Sequence, residues 1–355
     1  MTTILENNRN IYMDAVKAFA IFLVVMGHAV QYISGTDFWN NPIYQTIYSV
    51  HMPLFFVISG FFFVGQQNKS FKEFISRKVM TLLLPCVVWA SLSGLLTLIH
   101  NGDIFAFVNK ILSPLNWPFW FLKGLFSVQL IAWISLVIAR KIAPKHYVRM
   151  AALLSLCVFF MPYTEVARVM LPIFWAGWFL RMHYDWLLEH KGIISLVSSV
   201  IFIVLLVFWG KEGMRFYSAT SLNLYGYLLG TPYPWEDWLW LVYRVSIGCT
   251  GSLAIIALFH LPQYIPSWIQ QVGTSTQAIY ILQACLLEHF IGGLIAQKTV
   301  WLVPIQQLPP LCLFCVVLPM IAISLVGLCV LLYRPIRRVP ILSSLLFGTA
   351  PSCRK

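Results

Sequence analysis

Charge is what this sequence has least of. Only 10% of its 355 residues are Asp, Glu, Lys or Arg, where soluble domains carry about a quarter. Acidic residues are the scarcer sign, 12 against 24 bases. No polar stretch is long enough to fold as a separate soluble domain. A cysteine framework is also missing. The eight cysteines (Cys86, Cys157, Cys249, Cys285, Cys312, Cys315, Cys329, Cys353) lie mostly inside apolar runs, where a thiol acts as a small hydrophobe. Cys312 and Cys315 form a lone Cys-x-x-Cys with no second ligand pair, which argues against a metal or redox role. The net charge of +12 and pI near 9.4 come without a Lys/Arg-rich tail or basic–aromatic motif, so nucleic acid is not the expected partner. The first apolar run has Asp14 and Lys17 at its start, continues past His28 and lacks a small-residue cleavage site. It is expected to stay as a helix rather than be removed as a signal.

What is present is hydrophobic: 59% of residues, with mean hydropathy +0.79. The expectation is an all-α, polytopic membrane protein. Runs of about 20 apolar residues predict about ten transmembrane helices, over 13–33, 45–65, 79–100, 119–140, 147–163, 166–184, 192–210, 239–261, 275–296 and 311–334. The fifth and sixth meet at Met161-Pro162-Tyr163, read either as a tight outer turn or as the bend of one re-entrant unit. Lys and Arg set the orientation. With both termini cytoplasmic, the inner segments hold Arg9, the Lys69–Lys78 loop, Arg140–Arg149, Arg181, Lys191 and the C-terminal bases, whereas the outer loops hold only Lys110, Arg168, Lys211, Arg215 and Lys298. Residues 9–338 are expected to form one integral-membrane domain, between an N-terminal tail (1–8) and a basic cytoplasmic C-terminal tail (339–355). The outer loop 211–238, with "YGYLLGTPYPWEDW", suits an interfacial aromatic belt first and sugar stacking second.

The first span, "DAVKAFAIFLVVMGH", holds Asp14, Lys17 and His28. Lys17 and His28 are eleven residues apart, three turns plus about 20°, so both project from one stripe about 16 Å apart along the axis. Asp14 is placed to pair with Lys17. Charges at a helix end are cheap, and Asp14–Lys17 alone reads equally well as an interfacial pair; a deeper ionisable group such as His28 is a functional candidate. His51 enters the second span from the outside to a similar depth. Lys123, Arg244 and the pair Glu288-His289 also reach the outer half, so five spans are expected to line an outward-opening polar chamber. At the cytoplasmic face Lys17, Arg77, Lys78 and Arg181 form a basic group, explained mainly by topology and also suited to a polyanionic ligand.

These segments resemble the membrane acyltransferase-3 family. "DAVKAFAIFLVVMGH" is similar to its opening signature, Asp-x-x-Arg/Lys followed after ten residues by His. It is closest to the branch that resembles fucose 4-O-acetylases, where Lys often stands as at Lys17. "SVHMPLFFVISGFFF", "FISRKVMTLLLP", "FWFLKGLF", "LPIFWAGWFLRM" and "VGTSTQAIYILQ" resemble later family segments in the family's order. The likeness runs from about residue 9 to the last helix. One departure is Gln283, where many relatives carry a histidine, and the C-terminal esterase-like domain of some relatives is not expected here.

The resemblance implies transfer of an acyl group, usually acetyl from cytoplasmic acetyl-CoA, to a hydroxyl of a cell-surface glycan or lipid-linked saccharide in a bacterial cell membrane. No bound cofactor is implied; acyl-CoA is the donor substrate. Membrane lipids surround the chain, and a homo-oligomer is compatible with it. The expected catalytic set is His28, His51 and Asp14, with His28 the general base or, alternatively, a transient acyl carrier. His51 is expected to hold the tautomer or bind the sugar. Lys17, Arg77, Lys78 and Arg181 are the acyl-CoA-binding candidates, and Lys123, Arg244 and Glu288 serve the acceptor or the oxyanion. The runner-up reading is a transporter or exporter of a glycan or polar solute, disfavoured because no internal repeat is evident. A non-catalytic subunit of a polysaccharide synthase is the third.

Overall fold

The computed structural model describes residues 10–34, 37–105, 108–109, 119–161, 164–210, 222, 224, 230, 235–291 and 302–349, without the side chains of 96, 97, 100, 101 and 288–291. Its regular elements are all helical. They are α1 (Ile11–Ile33), α2 (Pro42–Phe63), α3 (Phe71–Lys78), α4 (Leu84–Asn101), α5 (Trp120–Ile142), α6 (Tyr147–Leu154), α7 (Glu165–Met182), α8 (Tyr184–Glu189), α9 (Lys191–Phe208), α10 (Trp235–Phe259), α11 (Ser267–Thr274), α12 (Thr276–Gln283), α13 (Leu318–Arg337) and α14 (Pro340–Phe347). A π-helical stretch, Val79–Leu83, joins α3 to α4, and another, Ala284–Ile291, continues α12.

Seven helical segments among the described residues are long and apolar enough to cross a membrane: Ile11–Ile33, Pro42–Gln66, Phe71–Leu95, Trp120–Ile142, Lys191–Phe208, Trp235–Phe259 and Pro310–Arg337. They coincide with seven of the ten runs read from the sequence. The other three differ in kind. The run at 147–163 is a short α-helix followed by a 3₁₀ stretch, Ser155–Phe160. Helix α7 has Glu165, Arg168 and Arg181 within 18 residues. The ninth run begins with the shorter apolar helix Thr276–Leu287, and residues 292–296 lie outside the described residues. The segment 211–238, read from the sequence as an outer loop, is also largely outside them.

The chain divides into two compact units. The first comprises Met1–Ile58, Phe179–Met214 and Ser246–Val330. Its centre is α1, 72% of whose apolar window is buried against 11% for α9. Ile193, Val207 and Phe208 of α9 are correspondingly exposed, as expected where lipid replaces water. Close approaches fix the packing around α1. A Cβ on Gly27 would stand 3.4 Å from both Ile47 and Tyr48 of α2. A Cβ on Gly273 would stand 1.9 Å from the Asp14 carbonyl oxygen, so only glycine lets α11 lie this close to the start of α1. At the other end of α1, Gln306 Nε2 donates to the Ile33 carbonyl at 3.3 Å.

The second unit comprises Ser59–Trp178, Arg215–Val245 and Leu331–Lys355. Its core is aromatic. Phe63 packs edge-on against Phe74 and Phe174, and Trp133 stacks on Phe74 with rings 5.4 Å apart. Gly60 meets the Phe174 carbonyl as closely as Gly273 meets that of Asp14. An unpaired polar atom in hydrocarbon is costly, and some of those among these rings find partners, whereas Trp133 Nε1, Trp178 Nε1 and Gln129 Oε1 find none among the described residues. Gln129 Nε2 donates to Ser59 at 2.7 Å, and Trp175 Nε1 to Ser155 at 3.0 Å. Arg168 is buried and donates to the carbonyls of Val158 and Met161; Pro162 and Tyr163, where the sequence placed a turn or bend between the fifth and sixth spans, lie outside the described residues.

Candidate active site

The site is built on α1. Asn10 starts it: its side chain accepts from the Met13 amide at 3.0 Å, so one of the helix's orphan donors is satisfied. Asp14 follows in the first turn, buried, and accepts from Lys17 Nζ at 3.3 Å. The i, i+3 pair is therefore formed. A carboxylate near the positive end of the helix dipole is also favourably placed. Three turns further, His28 is half-buried and its ring lies parallel to that of Tyr32, centroids 6.0 Å apart.

The second histidine lies on α2 about one helical turn, some 5 Å, from the height at which α2 meets Gly27. Gly27 faces Ile47 and Tyr48. His51, one turn after Ile47, is buried with its ring 4.6 Å from that of Tyr48. His51 Nδ1 lies 2.7 Å from the Ile47 carbonyl oxygen. A carbonyl only accepts, so Nδ1 carries the proton, and in the neutral ring Nε2 holds the lone pair. Pro53 sits inside α2 and has no amide hydrogen to give the Ser49 carbonyl, and Ser49 and His51 each turn a side-chain donor back onto a carbonyl of the preceding turn. Tyr44 stacks on Tyr48 with centroids 4.0 Å apart. Aromatic faces thus line both histidines, Tyr32 at His28 and Tyr48 at His51.

Arg181 belongs to the same unit as α1 and lies over the Tyr184 ring, 5.9 Å from its centroid. Tyr184 leads to a cluster that the sequence reading did not single out. Its hydroxyl accepts from Asn10 Nδ2 at 2.7 Å and lies 2.6 Å from His260 Nε2. His260 is buried, with Nδ1 2.7 Å from the Ile256 carbonyl. Its proton is therefore on Nδ1 in the neutral ring, and the Tyr184 hydroxyl donates to Nε2. Tyr12 stacks on His260 at 5.0 Å, and Lys191 Nζ donates to the His260 carbonyl at 2.7 Å. Four chain segments meet within one turn of Asp14. Asn10 was the only detectable signal, as a cap residue before an apolar run; nothing local marks Tyr184 or His260.

Of the remaining predicted residues, Arg77, Lys78, Lys123 and Arg244 belong to the second unit. Arg77 is exposed, and the Lys78 ammonium lies 5.9 Å from the centroid of the Phe74 ring. Lys123 is half-buried near the start of α5, and Arg244 is buried in α10. The side chains of Glu288 and His289 lie outside the described residues. Gln283, the position where many relatives have histidine, is fully buried at the end of α12 and donates from Nε2 to the Tyr280 carbonyl at 3.1 Å.

Against known proteins, the family model Acyl_transf_3, an acyltransferase domain, matches residues 10–334. Two nodulation proteins NolL are similar to the chain, both 27% identical: one from Mesorhizobium japonicum over 223 residues and one from Sinorhizobium fredii over 218. Each match covers 58% of this chain, and the chain spans 58% and 59% of the length of these relatives. No solved structure matches. With a domain match running from the cap of α1 into α13 and over nearly all the apolar helices between, the chain belongs to the acyltransferase-3 family of acyltransferase domains.

Proposed function

We propose that this protein is a membrane O-acyltransferase that moves an acyl group, acetyl by preference, from cytoplasmic acyl-CoA to a hydroxyl of a cell-surface glycan or lipid-linked saccharide. The carrying observation is the stripe on α1. An ion pair between buried Asp14 and half-buried Lys17 stands at one end, and three turns on from Lys17 comes a histidine, with a second histidine of fixed tautomer about one turn away in depth on α2. A single helix thereby offers a cation for the donor's phosphates and an imidazole for its thioester. The family match supports the reaction class.

The reaction divides among these groups. Lys17, with Arg181 and the bases Arg77 and Lys78, holds the phosphates of the donor. Asp14 keeps Lys17 oriented along the stripe. The pantetheine arm runs toward His28, whose imidazole takes the proton of the acceptor hydroxyl as its oxygen attacks the thioester carbonyl. The carbon–sulfur bond then breaks, and the departing thiolate takes the proton back from the imidazolium, leaving an O-acyl sugar and CoA. His51 binds the sugar through Nε2. Lys123, Arg244 and Glu288 serve the oxyanion or the acceptor. The outer aromatic loop 211–238 gives the sugar a face on which to stack.

Residues 9–338 then act as one domain with ten crossings and both termini in the cytoplasm, an arrangement supported by the excess of Lys and Arg in the inner segments. The test is turnover by the protein purified into lipid nanodiscs, with acetyl-CoA and a panel of bacterial oligosaccharides, read as thiol release and as acetylated product by mass spectrometry. Wild type is expected to transfer. His28→Ala is expected to lose about 10²–10⁴-fold, the usual worth of a general base, with unchanged folding. Near-normal transfer by well-folded His28→Ala would remove the assigned base.

A further inference from the structure

Gln283 is the one buried carboxamide near the site that is only half used among the described residues. It is fully enclosed at the C-terminal end of α12. Its Nε2 donates to the Tyr280 carbonyl at 3.1 Å, while nothing among the described residues donates to its Oε1. Turning the amide over does not help. The oxygen would then face the Tyr280 carbonyl, oxygen against oxygen, so the observed orientation is the only one that bonds. A buried acceptor without a donor costs about as much as a lost hydrogen bond. In native proteins such groups are rare and often mark a ligand or a functional requirement.

Its height along α1 follows from two fixed points. Gly273 abuts the Asp14 carbonyl, and Gln306 donates to that of Ile33, so residue 306 stands at the far end of α1 from residue 273. Helix α12 and the π-helical stretch after it both contact α1 along this path. The ten steps from Gly273 to Gln283, helical except for the break at Ser275 between α11 and α12, rise at most about 15 Å, and the fourteen helical steps from Asp14 to His28 rise about 21 Å. Gln283 therefore reaches within about one turn of the level of His28. At Ala284 the backbone becomes π-helical, a wider and less regular winding that occurs mainly at functional sites.

We infer that the Gln283 carboxamide oxygen accepts a hydrogen bond from a substrate N–H or O–H beside His28, which makes Gln283 a specificity-determining residue; the inference rests on the acyltransferase reading above. Two parts of the substrates carry such donors: the amides of the donor's pantetheine arm and the hydroxyls of the acceptor saccharide. The oxygen is enclosed in the substrate-free fold, so the substrate reaches it when the adjoining π turn yields. An acceptor held ready and unpaired discriminates strongly, because a substrate lacking the matching donor leaves it unpaired again.

The experiment compares wild type with Gln283→Leu and Gln283→Met in nanodiscs, measuring kcat and both KM values, acetyl-CoA binding by calorimetry, and substrate-free unfolding. The expected result is a loss of about tenfold or more in kcat/KM, with stability unchanged or raised because an orphan acceptor has gone. A rise in the acetyl-CoA KM with weaker binding assigns the bond to pantetheine; a rise in the saccharide KM assigns it to the acceptor. Kinetics within twofold of wild type would overturn the inference. So would loss of the fold in both variants, since an unpaired acceptor does not hold a structure together. Absence of turnover in wild type would defeat the acyltransferase reading instead, and the inference would then be judged by acetyl-CoA binding alone, unchanged binding in both variants overturning it.

Discussion

Tyr184→Phe removes one oxygen atom and strands two groups. The hydroxyl takes the Asn10 Nδ2 proton at 2.7 Å and gives its own to His260 Nε2 at 2.6 Å. The direction of the second bond is fixed by the Ile256 carbonyl, which holds the ring proton on Nδ1. Without the hydroxyl, a donor and an acceptor lose their partners together, at about 1–3 kcal/mol for each group that stays dry. His260 is 2% exposed and incurs the full penalty. Asn10 is half-buried and recovers part of its bond from water. The expected loss is about 2–4 kcal/mol. Asn10→Ala should lose about 1 kcal/mol through the cap, plus the bond to Tyr184. Because the two variants delete the same bond, their costs should fall short of adding by about 1 kcal/mol in the double variant. Denaturant unfolding in mixed micelles, followed by tryptophan fluorescence, supplies all four corners of the cycle. A Tyr184→Phe stability within about 0.5 kcal/mol of wild type, the range of inert surface changes, or strict additivity with Asn10→Ala, would refute the network.

Lys17→Ala is expected to raise the acetyl-CoA KM and leave the saccharide KM in place, while Lys17→Arg retains function because the cation and its Asp14 partner persist; equal loss in both variants with unchanged CoA affinity would argue against a phosphate role. Gly273→Ala places a methyl 1.9 Å from the Asp14 carbonyl oxygen. Since that neighbour is main chain, the variant should cost the 1–3 kcal/mol typical of overpacking or more, visible as lost yield and early unfolding, whereas a silent Gly273→Ala would mean that α11 and α1 slide apart easily. Gly60→Ala, set against the Phe174 carbonyl, makes the same prediction for the second unit.

The long helices were legible because hydrocarbon imposes a length: a run of about 20 apolar residues has few alternatives to spanning. The Asp14–Lys17 pair and the shared stripe with His28 followed from helical periodicity alone. Periodicity does not reveal which side of a uniformly apolar helix meets protein and which meets lipid. The contrast between central α1 and exposed α9, both read from the sequence as spans, therefore had to come from the fold. The winding within the runs at 147–163 and 275–296 was not legible for a related reason. Apolar composition marks a stretch as membrane-compatible and is blind to a 3₁₀ or π winding within it. The Asn10–Tyr184–His260 chain was invisible because its members are separated by 174 and 76 residues, and each is an ordinary polar residue at a helix end.

Those long-range ties bear on how α1 can serve chemistry. A base contributes only when its atoms are held within a fraction of an ångström of the reacting pair, and a helix whose ends slide would carry His28 out of register. Here the first turn is held by the Asn10 cap, by Tyr184 through that same asparagine, and by the bare backbone of α11 against Asp14. The last turn is held by Gln306 on the Ile33 carbonyl. Between these anchors α1 has one glycine, and it is the residue beside His28 that faces Tyr48. The position most open to adjustment is thus the one that sets the imidazole against its neighbours. Gly27→Ala tests this directly. Its added carbon would make ordinary van der Waals contact with Ile47 and Tyr48 at 3.4 Å, so stability should change by less than about 1 kcal/mol, a methyl's worth of burial. If the spacing of α1 and α2 at this level positions the base, turnover should still fall severalfold with the acetyl-CoA KM unchanged. A variant with wild-type kcat would show that His28 tolerates displacement, and that the anchoring of α1 serves the fold alone.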